Sequence, residues 1–325
     1  MILSDKFHKK FYLLVKFDIT QACELFRLRL GLCYMDSISE TPLVSIVIPC
    51  YAHQVYLERC LNSVAAQTYK NIEVVIVDDR SPDGSVQEIE RIIKSASWNS
   101  RFPEGTSFYP LEKNQGAHFA INYAVSKSKG SIISILNSDD MYAPDRIRCA
   151  VDTMQKNGGE LVCTSVQYID DDDQNITHSH PLGIRFFSSQ KKIKTFPSVG
   201  FACLASNVAI STGNFVFTKA LFNLVGDFRS YRYCHDWDFL LRAIFYTEPL
   251  FVEEYLYYYR LHGKNTFESL QSLAVDETKS IVGDFIASGN FNWPPNALAP
   301  SRLNWPGLFE IFLSWHGYDR VSTPA

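Results

Sequence analysis

An α/β domain with a largely parallel sheet is predicted from three features of the sequence. Apolar, β-branched runs recur at residues 43–49 (LVSIVIP), 73–77 (EVVIV), 132–136 (IISIL) and 161–168. Their nearly unbroken apolar character fits strands covered on both faces rather than the alternation of a half-exposed sheet. Segments with helical spacing lie between them, and strands that alternate with helices are the pattern of parallel sheets. With 325 residues, 46% of them apolar and 20% charged, the chain is long enough for one large domain or two unequal ones with a substantial core.

The elements follow in order. Val55, Leu57, Leu61, Val64 and Ala65 give the segment after the first strand one apolar helical face. A helix at 86–94, a short strand at 106–109, a helix at 117–126 and, beyond Pro144, a helix reaching Lys156 complete the alternation. The region 170–214 is less regular. Asp170, Asp171, Asp172 and Asp173 read as a solvated turn, because the spaced oxygen ligands of a calcium loop do not follow them. His178 and His180 could ligate a metal, but two histidines in a loop read by default as exposed polar residues. Helices return at 219–224 and 236–245, followed by a tyrosine-rich strand at 251–259, and Trp293, Trp305 and Trp315 mark a tail used for packing or an interface. The expected organisation is an amphipathic N-terminal extension (1–40), a main domain with its acceptor-side region (41–265) and a C-terminal extension (266–325).

In the leader, Phe7, Phe11, Leu14, Val15, Leu25, Leu28 and Leu30 fall at mostly helical intervals, and Lys16 and Asp18 interrupt what would otherwise resemble a signal peptide. No uncharged run approaches the roughly 20 residues needed to span a bilayer. The eight cysteines show no CxxC or zinc-like spacing and read as buried free thiols of a reducing compartment. The expected location is therefore cytoplasmic, with peripheral contact at the cytoplasmic face of a membrane left open. A net charge of -4 offers no broad footprint for a nucleic-acid polymer. Oligomeric state is not legible.

Chemistry enters where the apolar runs stop. Asp78 and Asp79 follow one strand, and Asn137, Ser138, Asp139 and Asp140 follow another. One such pair is commonly a turn or a helix cap. Two pairs at the same end of neighbouring strands form a negative cleft that needs a cation or a hydrogen-bond-donating ligand. Neither GxGxxG after the first strand nor GxxxxGK[ST] is present, which argues against classical dinucleotide and P-loop sites. A diphosphate can instead be held through Mg2+ or Mn2+ shared with carboxylates, and Asp139 and Asp140 form the candidate metal locus.

Three ordered segments, 44–85 (VSIVIPCYAHQVYLERCLNSV through VVIVDDRSPDGS), 112–147 (EKNQGAHFAINYA through ILNSDDMYAPDRI) and 234–243 (CHDWDFLLRA), resemble the inverting nucleotide-sugar glycosyltransferases of family 2. The resemblance covers about residues 43–262 and implies a GT-A, Rossmann-like nucleotide-diphospho-sugar transferase fold with a mostly parallel mixed sheet. It implies a divalent cofactor, Mn2+ or Mg2+, and a nucleotide-diphosphate sugar donor, with UDP favoured and GDP or TDP still open. It also implies transfer of a hexosyl group, with inversion, to a hydroxyl of a saccharide or lipid-linked glycan.

Carried over by position, Pro49 and Tyr51 line the base pocket, Asp79 accepts from the base or ribose, and Asp78 supports the loop. Asn114, Gly116 and His118 lie on the nucleotide side, and Asn122 lies where its helix faces the site. Asn137, Ser138 and Asp139, followed by Asp140, form the DxD-type element, with Asp139, Asp140 and His262 as metal-side residues and Arg260 near the phosphates. Asp236 is the implied general base, with His235, Trp237 and Asp238 on the acceptor side. The chain departs from the family at Asn137, where aspartate is commoner, at Ile121, where many relatives carry arginine, and at His235, where glutamate is frequent. Asparagine supplies a carbonyl oxygen but no charge. A catalytically silent nucleotide-sugar or glycan-binding protein is the alternative reading.

Overall fold

The computed structural model describes residues 41–263, 271–291 and 294–318. The expected leader helices, Trp293 and the end of the tail lie outside the described residues.

Eight strands form one sheet in the order β3-β2-β1-β4-β7-β6-β8-β5. β1 (Val44–Cys50), β2 (Ile72–Asp78), β3 (Thr106–Pro110) and β4 (Ile132–Ile135) pair in parallel, with β1 between β2 and β4. Every residue of β1, β2 and β4 is buried, as their unbroken apolar runs require. The helices α1 (Gln54–Ala65), α2 (Ser85–Ile93), α3 (Ala96–Arg101) and α4 (Ala117–Lys127) supply the crossovers. β5 (Met141–Tyr142), α5 (Arg146–Asn157) and β6 (Leu161–Ile169) follow. Next come α6 (Pro181–Lys191), α7 (Val199–Ala205), β7 (Val216–Thr218), α8 (Lys219–Val225), α9 (His235–Ile244) and β8 (Leu250–Arg260).

β7 runs antiparallel to both β4 and β6, while β8 is parallel to β6 and antiparallel to β5. The expected mixed α/β sheet is thus present. Its chain path steps outward from β1 to β3 and returns through α4 to β4 on the other side of β1. The β1/β4 junction is therefore a topological switch point, where the loops after the two strands diverge and leave a crevice.

The core continues into the C-terminal segments α10 (Gln271–Phe291) and α11 (Leu308–Trp315), whose Ile281, Val282, Phe285, Phe309 and Leu313 are buried in one cluster with Phe239 and Ile244 of α9. Phe228 stacks on Phe239 with ring centroids 4.2 Å apart. Asn122 fixes this contact by donating to Phe228 O and accepting from Phe228 N, both at 2.9 Å. The side chain expected to face the site instead holds the loop before α9. Val55, expected on the buried face of α1, is 72% exposed. Buried Phe239 illustrates the energetic scale, since truncating such a side chain to alanine costs about 3–5 kcal/mol.

Among the described residues no helix is long and apolar enough to cross a membrane. The described cysteines are free thiols, and burial pushes those of Cys50 and Cys163 up to about 12.

Candidate active site

A cleft of about 1660 Å³ opens beyond the carboxyl ends of β1, β2 and β4 and is closed on its far side by the start of α9. Tyr51 presents a ring that is 46% exposed at its margin, beside Pro49. Ala52 takes a left-handed φ of 57°, a conformation costly for a residue with a Cβ, and its N–H donates to Ser81 Oγ at 2.9 Å. Buried Asp78 accepts in turn from Ser81 N at 2.8 Å and from the Ser81 hydroxyl. Asp78 thus supports the loop that aims His53 inward.

Asp79 grips the segment after β3, its two carboxylate oxygens accepting from the backbone N–H groups of Gln115 and Gly116 at 2.7 Å each. Gly116 has φ 91°, in the region that favours glycine, and this turn directs its N–H at the carboxylate. Asn114, Gly116 and His118 line the same wall. Burial, followed by the charge of His235, lowers the His118 pKa.

At the switch point, His53, Asp139 and His262 converge, and their ligand atoms all lie within 4.8 Å of one another. His262 Nε2 is 3.1 Å and His53 Nε2 3.7 Å from Asp139 Oδ2. His53 Nδ1 lies 2.8 Å from the buried Ser138 hydroxyl. Tyr56 stacks on His262 at 5.0 Å and donates its hydroxyl to Asp171 at 2.7 Å. Burial pushes the Asp139 carboxyl up, but the charge of His53 and the hydrogen bond from His262 outweigh it, and its pKa lies below the ordinary value. Two imidazoles and one carboxylate in this arrangement fit a divalent ion.

Asp140 does not join them. Its side chain points into the protein, accepting from the Tyr257 hydroxyl, from Arg260 N at 2.8 Å and from Asn137 Nδ2 at 3.2 Å. Burial and the neighbouring charge of Asp139 hold its pKa well above the carboxylate range. The β5/β8 pairing places Tyr257 opposite Tyr142, and Gly213 leaves the room Tyr257 needs, since a Cβ there would sit 1.9 Å from its hydroxyl.

Arg260, expected at the phosphates, is fully buried beneath Tyr56. Its Nε donates to Asp139 O at 2.9 Å, and its guanidinium pairs with Asp173. The acidic turn is therefore an anchor rather than a merely solvated loop, because Asp173 also binds Arg59 at 3.0 Å. His180 caps α6 by accepting from Leu182 N, and exposed His178 packs edge-on against Phe187.

On the opposite wall, Asp236 accepts from Asn207 Nδ2 and from Trp237 N, both at 2.7 Å. Burial raises its pKa against the opposing influence of His235 and these donors. His235 lies 3.3 Å from the Thr212 hydroxyl, and Trp237 donates Nε1–H to Cys203 O at 2.7 Å. All three residues line the cleft. Asp238 does not, because it is 2% exposed and its carboxylate pairs with Arg242 at 2.7 Å and Arg229 at 3.4 Å.

His53, Tyr56 and Asn207 escaped the sequence reading. Only His53 carried a signal, as an imidazole just beyond the first strand, at the same sheet edge as the two acidic pairs.

Comparisons with known proteins converge on one class for a chain with this α/β sheet and this cleft, the glycosyltransferases. Residues 45–231 match the family model Glycosyl transferase family 2, and the chain belongs to that family. An uncharacterized glycosyltransferase of Rickettsia typhi is 29% identical over 235 residues, which are 71% of this chain and 68% of that protein. Several longer Rickettsia relatives are matched over only about a fifth of their length.

Among solved structures, S. aureus TarS 1–349 in complex with UDP-GlcNAc aligns with a TM-score of 0.61 at 17% identity, covering 81% of this chain and 74% of that one. The mannosyltransferase PcManGT from Pyrobaculum calidifontis, in complex with GDP-Man and Mn2+, aligns with a TM-score of 0.55 at 14% identity, covering 88% and 77%. The shared fold is the GT-A fold.

Proposed function

We propose that this glycosyltransferase moves a hexosyl group from a nucleoside-diphosphate sugar, with UDP as the favoured nucleotide, to a hydroxyl of a saccharide or lipid-linked glycan, inverting the anomeric carbon. The observation that carries this reading is one cleft with two chemically distinct walls. His53, Asp139 and His262 lie on one wall, and a half-buried carboxylate with a raised pKa, Asp236, lies on the other.

Tyr51 offers an exposed ring against which a nucleobase can stack, and Asp79 holds the 114–116 segment where the nucleotide would lie. His53, Asp139 and His262 would hold a divalent ion, Mn2+ or Mg2+, and a bound ion there supplies Lewis-acid stabilisation of the leaving diphosphate. UDP-GlcNAc with TarS and GDP-Man with Mn2+ in PcManGT support a donor of this class.

Asp236 takes the acceptor hydroxyl proton as the new oxygen–carbon bond forms and the bond from the anomeric carbon to the diphosphate oxygen breaks. Its raised pKa suits a general base, since proton affinity nearer the working pH improves transfer. Half-buried Trp237, Tyr231 and Tyr233 beside it give the apolar ring faces on which sugars pack. A panel of nucleotide sugars, each incubated with candidate glycan acceptors and Mn2+ or Mg2+ and read by mass spectrometry, tests the reading. A glycosylated product of inverted configuration is expected, and hydrolysis alone or no product with every donor refutes it.

A further inference from the structure

We infer that His53 is a third protein ligand that lets this chain retain a divalent transition ion without nucleotide and in preference to Mg2+. The inference deepens the donor-site reading above and rests on it for the role of the ion, but the selectivity is argued from the side chains alone.

A DxD-type carboxylate that shares its ion with a diphosphate needs few protein ligands, because the phosphate oxygens complete the shell. Here the loop after β1 adds an imidazole to the carboxylate after β4 and the imidazole after β8. Three ligand atoms from three separate strand ends meet at the switch point.

Each is held by a neighbour. The contact between His53 Nδ1 and Ser138 Oγ at 2.8 Å leaves Nε2 as the nitrogen facing Asp139, the support that metal-binding histidines commonly receive through their other ring nitrogen. Ala52, in its left-handed conformation, is tied to Ser81 and turns the chain so that His53 enters the crevice. Tyr56 stacks on His262 and meets His53 edge-on at 6.1 Å, restricting both rings. Arg260 fixes the Asp139 backbone from below.

The donor chemistry sets the preference. Mg2+ favours oxygen ligands and retains much of its water, whereas imidazole nitrogen favours later first-row ions, with affinity rising from Mn2+ through Co2+ to Cu2+. Two nitrogens and one carboxylate oxygen therefore discriminate against Mg2+. They also restrict how much of the ion's shell is left for phosphate.

The test uses the metal-stripped full chain and Co2+ alone, followed through its visible absorption bands, with a parallel calorimetric titration of Mg2+. One Co2+ per chain is expected, bound at least about 10-fold more tightly than Mg2+. His53→Gln, with unchanged circular dichroism, is expected to weaken Co2+ by about 10-fold or more and to alter the absorption bands. Equal affinity for Co2+ and Mg2+ in the wild type overturns the inference, as does wild-type Co2+ affinity in folded His53→Gln. The wild-type ratio keeps the inference open to refutation even if His53→Gln does not fold, and His53→Asn then replaces it with the same expected loss of Co2+ affinity. Because no sugar is involved, a chain that holds Co2+ through His53 but transfers nothing refutes the proposed function and keeps this inference, and a chain that transfers sugar without such retention does the reverse.

Discussion

Asn137 donates its side-chain amide to Asp140 Oδ2 at 3.2 Å, and the same nitrogen donates to Ser211 Oγ at 2.8 Å. The residue that departs from the commoner family aspartate is therefore fitted to its surroundings. An aspartate there would set a second carboxylate against the buried Asp140 and remove the donor it uses.

Asn137→Asp is accordingly expected to destabilise the fold by about 1–3 kcal/mol, the cost of a lost buried donor, and to lower turnover. Urea unfolding at neutral pH measures the first effect and a manganese titration any change at the ion site. Unchanged or higher stability together with tighter manganese binding would show that asparagine is a defect instead.

Asp139→Ala removes the only carboxylate of the ligand trio, while the Arg260 bond to the residue 139 carbonyl remains available to hold the loop. Turnover should fall roughly 100-fold or more through lost electrostatic stabilisation of the leaving group. Donor binding should lose its dependence on Mn2+. Calorimetry with the nucleotide sugar, with and without Mn2+, checks this, and retained metal dependence in a folded variant contradicts the assignment.

Much of the architecture was legible because β1, β2 and β4 are mostly apolar runs that must be covered on both faces. What escaped lacked such contrast. The first five described residues after Val199 in α7 are all buried and show no polar face, and β7 is only three residues long. The site was half legible. Adjacent carboxylates at a strand end can point to opposite sides, and nothing in the order Asp139, Asp140 tells which one meets the ligand. Pairing of β5 with β8 decides it, by bringing Tyr257 to Asp140. His53 becomes a neighbour of Asp139 only because β1 and β4 are adjacent, a relationship set by the crossover and not by any local pattern.

Glu248 gives a pH prediction away from the cleft. Burial pushes its carboxyl up to about 7 from an ordinary 4.5, against hydrogen bonds from Gly200 N and Asn296. A folded-state pKa above the unfolded one means that the contribution is full below 4.5 and is lost as pH rises through about 7. Glu248→Gln, neutral throughout, should therefore gain about 3 kcal/mol relative to wild type between pH 4.5 and pH 8. Denaturant unfolding at the two pH values measures it, and parallel pH profiles for the two proteins refute it.

Asp236 separates chemistry from binding. Its carboxylate accepts from Asn207 Nδ2 and from Trp237 N, and burial holds its pKa above the ordinary carboxylate value despite these donors. Asp236→Asn keeps the shape but cannot take the acceptor proton, so transfer should fall about 100-fold or more while nucleotide-sugar affinity is retained. That pattern places the loss in the transition state rather than in uniform binding. Asn207→Ala provides the companion measurement. Removing a donor that stabilises the charged form raises the pKa of Asp236 further. Because the base must be deprotonated, activity falls as pH drops through that pKa, and the acid limb of the turnover profile should move to higher pH in Asn207→Ala. Near-normal transfer by folded Asp236→Asn, or an unmoved acid limb in folded Asn207→Ala, would assign the base to a different group.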